Sequence, residues 1–160
     1  MLRLPLVLNT SRSGLTRHEL AAFVTELNRI WSQAGICFEV RSLERGFSAQ
    51  SRHSLWLIRG DVPFSSGHYD SDTYIWTEDA PKLAHAPHPA TIPAARTAAH
   101  ELGHALELQH LPRTGSYLDA LMNTGYDGYA LAPFEIRRAR TKATAFALPA
   151  LVPTCRPPLW

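Results

Sequence analysis

His100-Glu101-Leu102-Gly103-His104 holds the residues best suited to chemistry in this chain: two histidines four apart, with a glutamate directly after the first. On an α-helix, positions four apart lie on one face within a turn, so two imidazole nitrogens there can reach one metal ion. Zinc takes a roughly tetrahedral ligand set, and its catalytic sites use three protein ligands and a water. A third ligand must therefore come from elsewhere. His110 lies six residues beyond His104, which on an unbroken helix is about 9 Å further along the axis. For His110 to bind, the helix has to end near Glu107 or Leu108 and the chain has to turn back. If the helix runs on instead, Glu107, on the same face as His100 and His104, or a downstream acid such as Asp119 or Glu135, becomes the third ligand. A zinc ion held by neutral imidazoles keeps its charge, lowers the pKa of a bound water toward about 7 and polarises a carbonyl. Glu101 is placed to act as general base on that water and then as proton donor to a leaving amine. His18, His53 and His68 have no comparable spacing and read as surface or core histidines.

The elements that must position these groups form an α+β pattern. Thr16 and Glu19 make a capping box, with Leu15 and Leu20 as the matching hydrophobic staple, so a helix is predicted to start at Arg17. Leu20, Phe23, Val24, Leu27, Ile30 and Trp31 recur at helical spacing as its core face, and Gly35 suits the turn that ends it. Met1 to Leu8 reads as a strand. Ile36, Phe38 and Val40 alternate with Cys37, Glu39 and Arg41 as a half-buried strand. Leu55-Trp56-Leu57-Ile58 and Thr73-Tyr74-Ile75-Trp76 supply two more, the second at an edge of the sheet. Residues 77–93 are rich in proline, alanine and histidine and precede the helix of His100, so His85 and His88 are placed near the cleft, where a second metal is a minor reading.

Residues 98–136 resemble the metzincin metallopeptidases, and most closely the catalytic domains of the matrixins. The family pattern is HExxHxxGxxH followed by a methionine-containing turn beneath the metal, and Met122, twelve residues after His110 in Ala120-Leu121-Met122-Asn123, fits that turn. Where the family has glycine, this chain has Glu107. Leu131-Ala132-Pro133-Phe134-Glu135-Ile136 is similar to the start of the family's closing helix. A fainter likeness covers Arg59 to Phe64 and Leu83-Ala84-His85-Ala86, the latter matching the edge strand that lines the substrate. The resemblance implies a twisted mixed sheet with an N-terminal helix and an active-site helix, and a small C-terminal subdomain with the Met-turn and a final helix. It divides a single catalytic domain, 1–160, into an upper part of about 1–110 and a lower part of about 111–160. It implies one catalytic Zn2+ on His100, His104 and His110, with Leu83, Ala84, Tyr126 and Tyr129 as candidates for the substrate pocket; core packing is the expected role of at least one of the two tyrosines. In matrixins the histidine matching His85 binds a structural zinc.

These features predict a monomeric zinc endopeptidase acting on peptide or protein substrates. A zinc amidase or exopeptidase with a different third ligand, and a non-catalytic zinc-binding interaction module, are the alternatives. With 160 residues and 45% hydrophobic content, the chain can bury a core without disulfide staples. A net charge of +2, with no basic run interleaved with aromatics, gives no argument for nucleic acid, and no nucleic-acid partner is expected. No stretch reaches the 18 or so apolar residues of a membrane span. No signal peptide is visible, and a secreted or delivered enzyme remains compatible with the residues. Cys37 and Cys155 read first as thiols and next as a disulfide. A third reading takes Cys155, in the proline-flanked tail Val152 to Pro158, as a thiolate on the fourth zinc position, as a proline-flanked cysteine does in latent matrixins.

Overall fold

The first helix, α1 (Arg17–Trp31), begins where its capping box requires. The Thr16 N–H donates to the Glu19 carboxylate at 2.7 Å, and the Glu19 N–H donates back to the Thr16 hydroxyl at 3.3 Å. Its buried residues are Leu20, Phe23, Val24, Leu27, Ile30 and Trp31, the stripe its 3.6-residue period calls for. A short 3-10 turn, Ser32–Ala34, follows and ends at Gly35, whose φ of 62° is the left-handed conformation that glycine adopts without a Cβ penalty. Arg140 closes this end, donating to the Ala34 carbonyl at 2.7 Å.

The structure is a computed structural model that describes residues 1–12, 15–44, 54–58, 67–71, 74–77, 93–123 and 128–148. Five strands, β1 (Leu2–Arg12), β2 (Ile36–Glu44), β3 (Ser54–Ile58), β4 (Gly67–Ser71) and β5 (Tyr74–Thr77), form one mixed sheet in the order β2-β1-β3-β5-β4. All neighbours run parallel except β4, which is antiparallel to β5. Among the described residues there are two further α-helices, α2 (Pro93–Ala105) and α3 (Pro133–Thr144). α1 packs against β2, α2 against β4 and β5, and the two helices touch each other, so they share one face of the sheet. No helix among the described residues is long and apolar enough to cross a membrane.

Two expectations for the sheet need correction. The strand around Tyr74 is interior, flanked by β3 and β4, and among the described strands the edges are β2 and β4. The edge strand was missed because Gly67-His68-Tyr69-Asp70-Ser71 has almost no apolar alternation; pairing with β5 holds it. In β2, Cys37 was expected on the open side, yet it is as buried as Ile36 and Phe38. Cys37 is disulfide-bonded, and the one other cysteine in the sequence is Cys155, outside the described residues. For Cys37 the thiol reading is overturned in favour of the disulfide; the reading of Cys155 as a metal ligand lies outside the described residues.

Proline inside a central strand would normally cost a ladder hydrogen bond. Pro5 avoids this because β3 meets β1 only from Val7 onward. On the side left open, the Leu148 N–H donates to the Arg3 carbonyl at 2.7 Å. Backbone groups two residues apart point to the same side of a strand, so Pro5 turns its missing donor to that open side. At the edge, Asn28 on α1 satisfies both backbone groups of Phe38, accepting from its N–H at 2.7 Å and donating to its carbonyl at 3.0 Å. The ring of Phe38 meets Trp31 edge-on, with centroids 5.9 Å apart.

If the cap at Thr16 nucleates α1, Thr16→Ala should lower unfolding stability by about 1 kcal/mol in chemical denaturation, with Thr16→Ser close to wild type. An alanine variant as stable as wild type would show that packing alone sets the start of the helix.

Candidate metal centre

Ala94, Ala95, Ala98, Ala99, Leu102 and Ala105 make α2 buried nearly all round, as in a helix enclosed by a core. Polar residues on such a helix are costly unless they have partners, which singles out Arg96, Thr97, His100 and Glu101, all less than a tenth exposed. Burial is the main influence on the two titratable groups at its centre. It lowers His100 to about 4 and raises Glu101 to about 7, with the Arg96 charge opposing the latter. Desolvation also lowers His104. His100 and His104 are therefore neutral at neutral pH, the form in which imidazole binds a metal.

After Ala105 the chain reverses. The Glu107 N–H donates to the His104 carbonyl and the Leu108 N–H to the Gly103 carbonyl, both at 2.9 Å, and Glu107 has φ of 65°. This pair of bonds around a left-handed residue is a Schellman motif, normally built on glycine. Glu107 is the single non-glycine residue with positive φ among those described. It is exposed, and its carboxylate pairs with Lys142 of α3 at 2.6 Å. Leu108, the next residue, is buried and reaches back over Gly103.

The reversal brings His110 to the two helical histidines. Its Nε2 lies 3.1 Å from Nε2 of His100 and 3.1 Å from Nε2 of His104. The alternatives for a third ligand are placed elsewhere: Glu107 faces Lys142, and Glu135 is buried with its carboxylate on the Ala132 N–H. Among the described residues, the one group of metal-ligating side chains that converges is His100, His104 and His110.

The donor chemistry of this group fits a cation. The His100 Nδ1 lies 2.8 Å from the Leu121 carbonyl and the His104 Nδ1 lies 2.9 Å from the Leu108 carbonyl. A carbonyl can only accept, so each Nδ1 carries the proton and each Nε2 is left with a bare lone pair. Lone pairs from neighbouring rings then face one point, an arrangement that a cation between them relieves. For Zn–N bonds of about 2.1 Å, tetrahedral ligands stand about 3.4 Å apart, close to the spacing found. Both carbonyls come from residues beyond the helix and orient the imidazoles from outside the ligand set.

Met122 is fully buried in the turn that provides the Leu121 carbonyl. A Cβ on Gly103 would stand 2.5 Å from its sulfur, so the methionine fills the notch that glycine leaves between the two histidines. The Tyr129 ring packs against the core with the Arg29 guanidinium 5.6 Å above it, and its carbonyl accepts from Gln33. Leu83, Ala84, His85, His88 and Tyr126 lie outside the described residues. Arg96 was missed from sequence. Its signal was a lone charge four residues before His100, on the same helical face, in an otherwise alanine-rich run.

The sequence matches no protein-family model and no curated protein. In structure the chain is similar to the archaemetzincin of Methanopyrus kandleri, with a TM-score of 0.64 at 14% identity, over 89% of this chain and 96% of that one. At such an identity the likeness is one of fold. Together, that fold and the three-histidine group are consistent with a zinc ion.

Adding a methyl at Gly103 should raise helix propensity by about 1 kcal/mol but overpack Met122 by about 1–3 kcal/mol. Gly103→Ala is thus expected to destabilise the wild type and to stabilise the Met122→Ala background. The same sign in both backgrounds would show that the sulfur is not what glycine accommodates. Glu107→Gly should be neutral or more stable by up to about 1 kcal/mol, as relieved backbone strain opposes the added entropy of the unfolded chain. A loss above that range would mean that the Glu107 side chain, not the backbone, holds the reversal.

Proposed function

We propose that this chain is a zinc-dependent endopeptidase of metzincin type, with His100, His104 and His110 as the ligands of one catalytic ion and Glu101 as general base. The observation that carries the reading is the convergence of three imidazole Nε2 atoms, two of them fixed by Nδ1–H bonds to carbonyls, beside a buried carboxyl raised to about 7. When bound there, zinc would supply Lewis-acid polarisation of the scissile carbonyl and a more acidic water. The remaining work falls to the chain's own groups. Glu101 takes a proton from the attacking water, holds it in a poorly solvated position, and returns it to the leaving nitrogen. A carboxyl with a pKa near the working pH is suited to both transfers. Neutral His100 and His104 orient by their Nδ1–H bonds, and burial keeps His100 charge-free down to a pH of about 4.

Met122, packed on Gly103 beneath the ligands, takes the part of the Met-turn methionine, in keeping with the matrixin-like run over 98–136. On this reading the chain is a single catalytic domain and monomeric, with an upper part of about 1–110 and a lower part of about 111–160, and a peptide lies between them. Leu83, Ala84 and Tyr126 remain the candidates for its pocket; the engagement of Tyr129 by Arg29 and Gln33 on α1 favours packing for that residue.

Purified protein should hold one zinc per chain and cleave an unstructured polypeptide. Glu101→Gln should keep the zinc and lose activity by about a hundredfold or more, whereas His100→Ala, His104→Ala and His110→Ala should lose the metal. Near-normal turnover by Glu101→Gln would end the peptidase assignment, and full zinc occupancy in His110→Ala would end the ligand assignment.

A further inference from the structure

Arg96 sits one helical turn before His100 with only 6% of its surface exposed. Its guanidinium reaches three carbonyls that lie beyond the helix in sequence. Nε donates to Gly128 at 2.8 Å, and Nη2 donates to Leu121 at 3.1 Å and to Asn123 at 3.0 Å. Leu121 is the residue whose carbonyl also takes the His100 Nδ1–H. One oxygen therefore joins a buried cation to a metal-facing imidazole. Asn123 in turn donates to the Tyr117 carbonyl at 2.9 Å, so the grip extends back into the segment after His110.

A buried guanidinium is an expensive way to hold a turn. Several kcal/mol of desolvation have to be offset by well-made hydrogen bonds, and apolar packing around Ala94 and Ala95 would hold α2 in the core without it. What Arg96 adds is direction: a planar donor fork fixes carbonyls in angle as well as distance.

We propose that Arg96 is a positioning residue for the metal centre: by clamping the carbonyls of Leu121, Asn123 and Gly128, it sets the one that orients His100 and so tunes zinc affinity. This rests on the zinc reading above but does not require the chain to be a peptidase. Partners outside the ligand set typically change metal affinity by about 10–100-fold when removed. The comparison is between wild type, Arg96→Met, Arg96→Lys and Arg140→Met, the last removing a hydrogen bond at the far end of α1 as a purely structural control.

Zinc dissociation constants from chelator competition should be weakened about 10–100-fold in Arg96→Met and less in Arg96→Lys, and should be unchanged in Arg140→Met. The visible spectrum of the cobalt-substituted chain should shift in the Arg96 variants alone. Zinc binding by Arg96→Met within twofold of wild type overturns the proposal. If that variant does not fold, Arg96→Lys decides: an affinity within twofold of wild type overturns it, and a loss of threefold or more supports it. A wild-type chain that takes up no zinc would instead overturn the function proposed above. The role of Arg96 is then read by nitrogen-15 NMR of the metal-free chain, where wild-type His100 should hold the Nδ1–H tautomer and Arg96→Met should mix the two. An unmixed tautomer in the variant overturns the proposal.

Discussion

The site depends on one backbone event, the reversal of the chain at Glu107. An α-helix can aim two side chains at a point through its four-residue spacing, but it carries a third one away at about 1.5 Å per residue. Convergence of three imidazoles thus requires the helix to end within a residue or two of a set place. The Schellman bonds from Glu107 and Leu108 back to His104 and Gly103 supply that end. Glutamate in the left-handed region costs on the order of 1 kcal/mol more than glycine, and burial of Leu108 over Gly103 offsets it. The Lys142 pair on the surface adds little, since its partners are half-exposed and screened.

The residues after the reversal do more than deliver His110. Leu108 turns its carbonyl onto the His104 Nδ1, and Leu121, further along, does the same for His100. Each helical imidazole is thereby oriented by a segment that the helix itself cannot fix. Met122 fits against Gly103, and Arg96 binds the carbonyl of the residue before it. Helix and turn are thus mutually dependent: the helix is placed in the core by alanines, and its polar face is completed by the turn beneath it.

The sheet and α1 form the frame for this arrangement. α1 presses its apolar stripe against β2 and α2, and α2 rests over β4 and β5. The two ends of the frame are closed by polar side chains that satisfy backbone groups, Asn28 at the β2 edge and Arg140 at the 3-10 turn. Fold likeness to an archaemetzincin at 14% identity accords with such a frame, because packing constrains the volume and period of side chains more than their identity.

Local chemistry alone was enough to read several parts of the structure from the sequence. The capping box, the stripe of α1, the left-handed Gly35 and the strand at Ile36 all follow from interactions within a few residues. So does the claw of His100 and His104. The need for a reversal near residue 107 was also legible, because it is a matter of helix geometry. Other features depended on contacts far apart in the chain. Which strand forms an edge was misread: β4 has no alternation of its own, and its pairing with β5 places it. That Cys37 is buried and disulfide-bonded was not legible either, because the alternation of its own strand does not encode it. Arg96 looked like a stray charge among alanines until the carbonyls of Leu121, Asn123 and Gly128 were seen around it. The sequence by itself determined that His100 and His104 can bind together and that a third ligand at His110 requires the helix to stop near Glu107, since both are local matters of spacing and backbone conformation. The tertiary structure alone decided which carbonyls orient those side chains and which neighbours desolvate them, because backbone oxygens carry no signature in sequence.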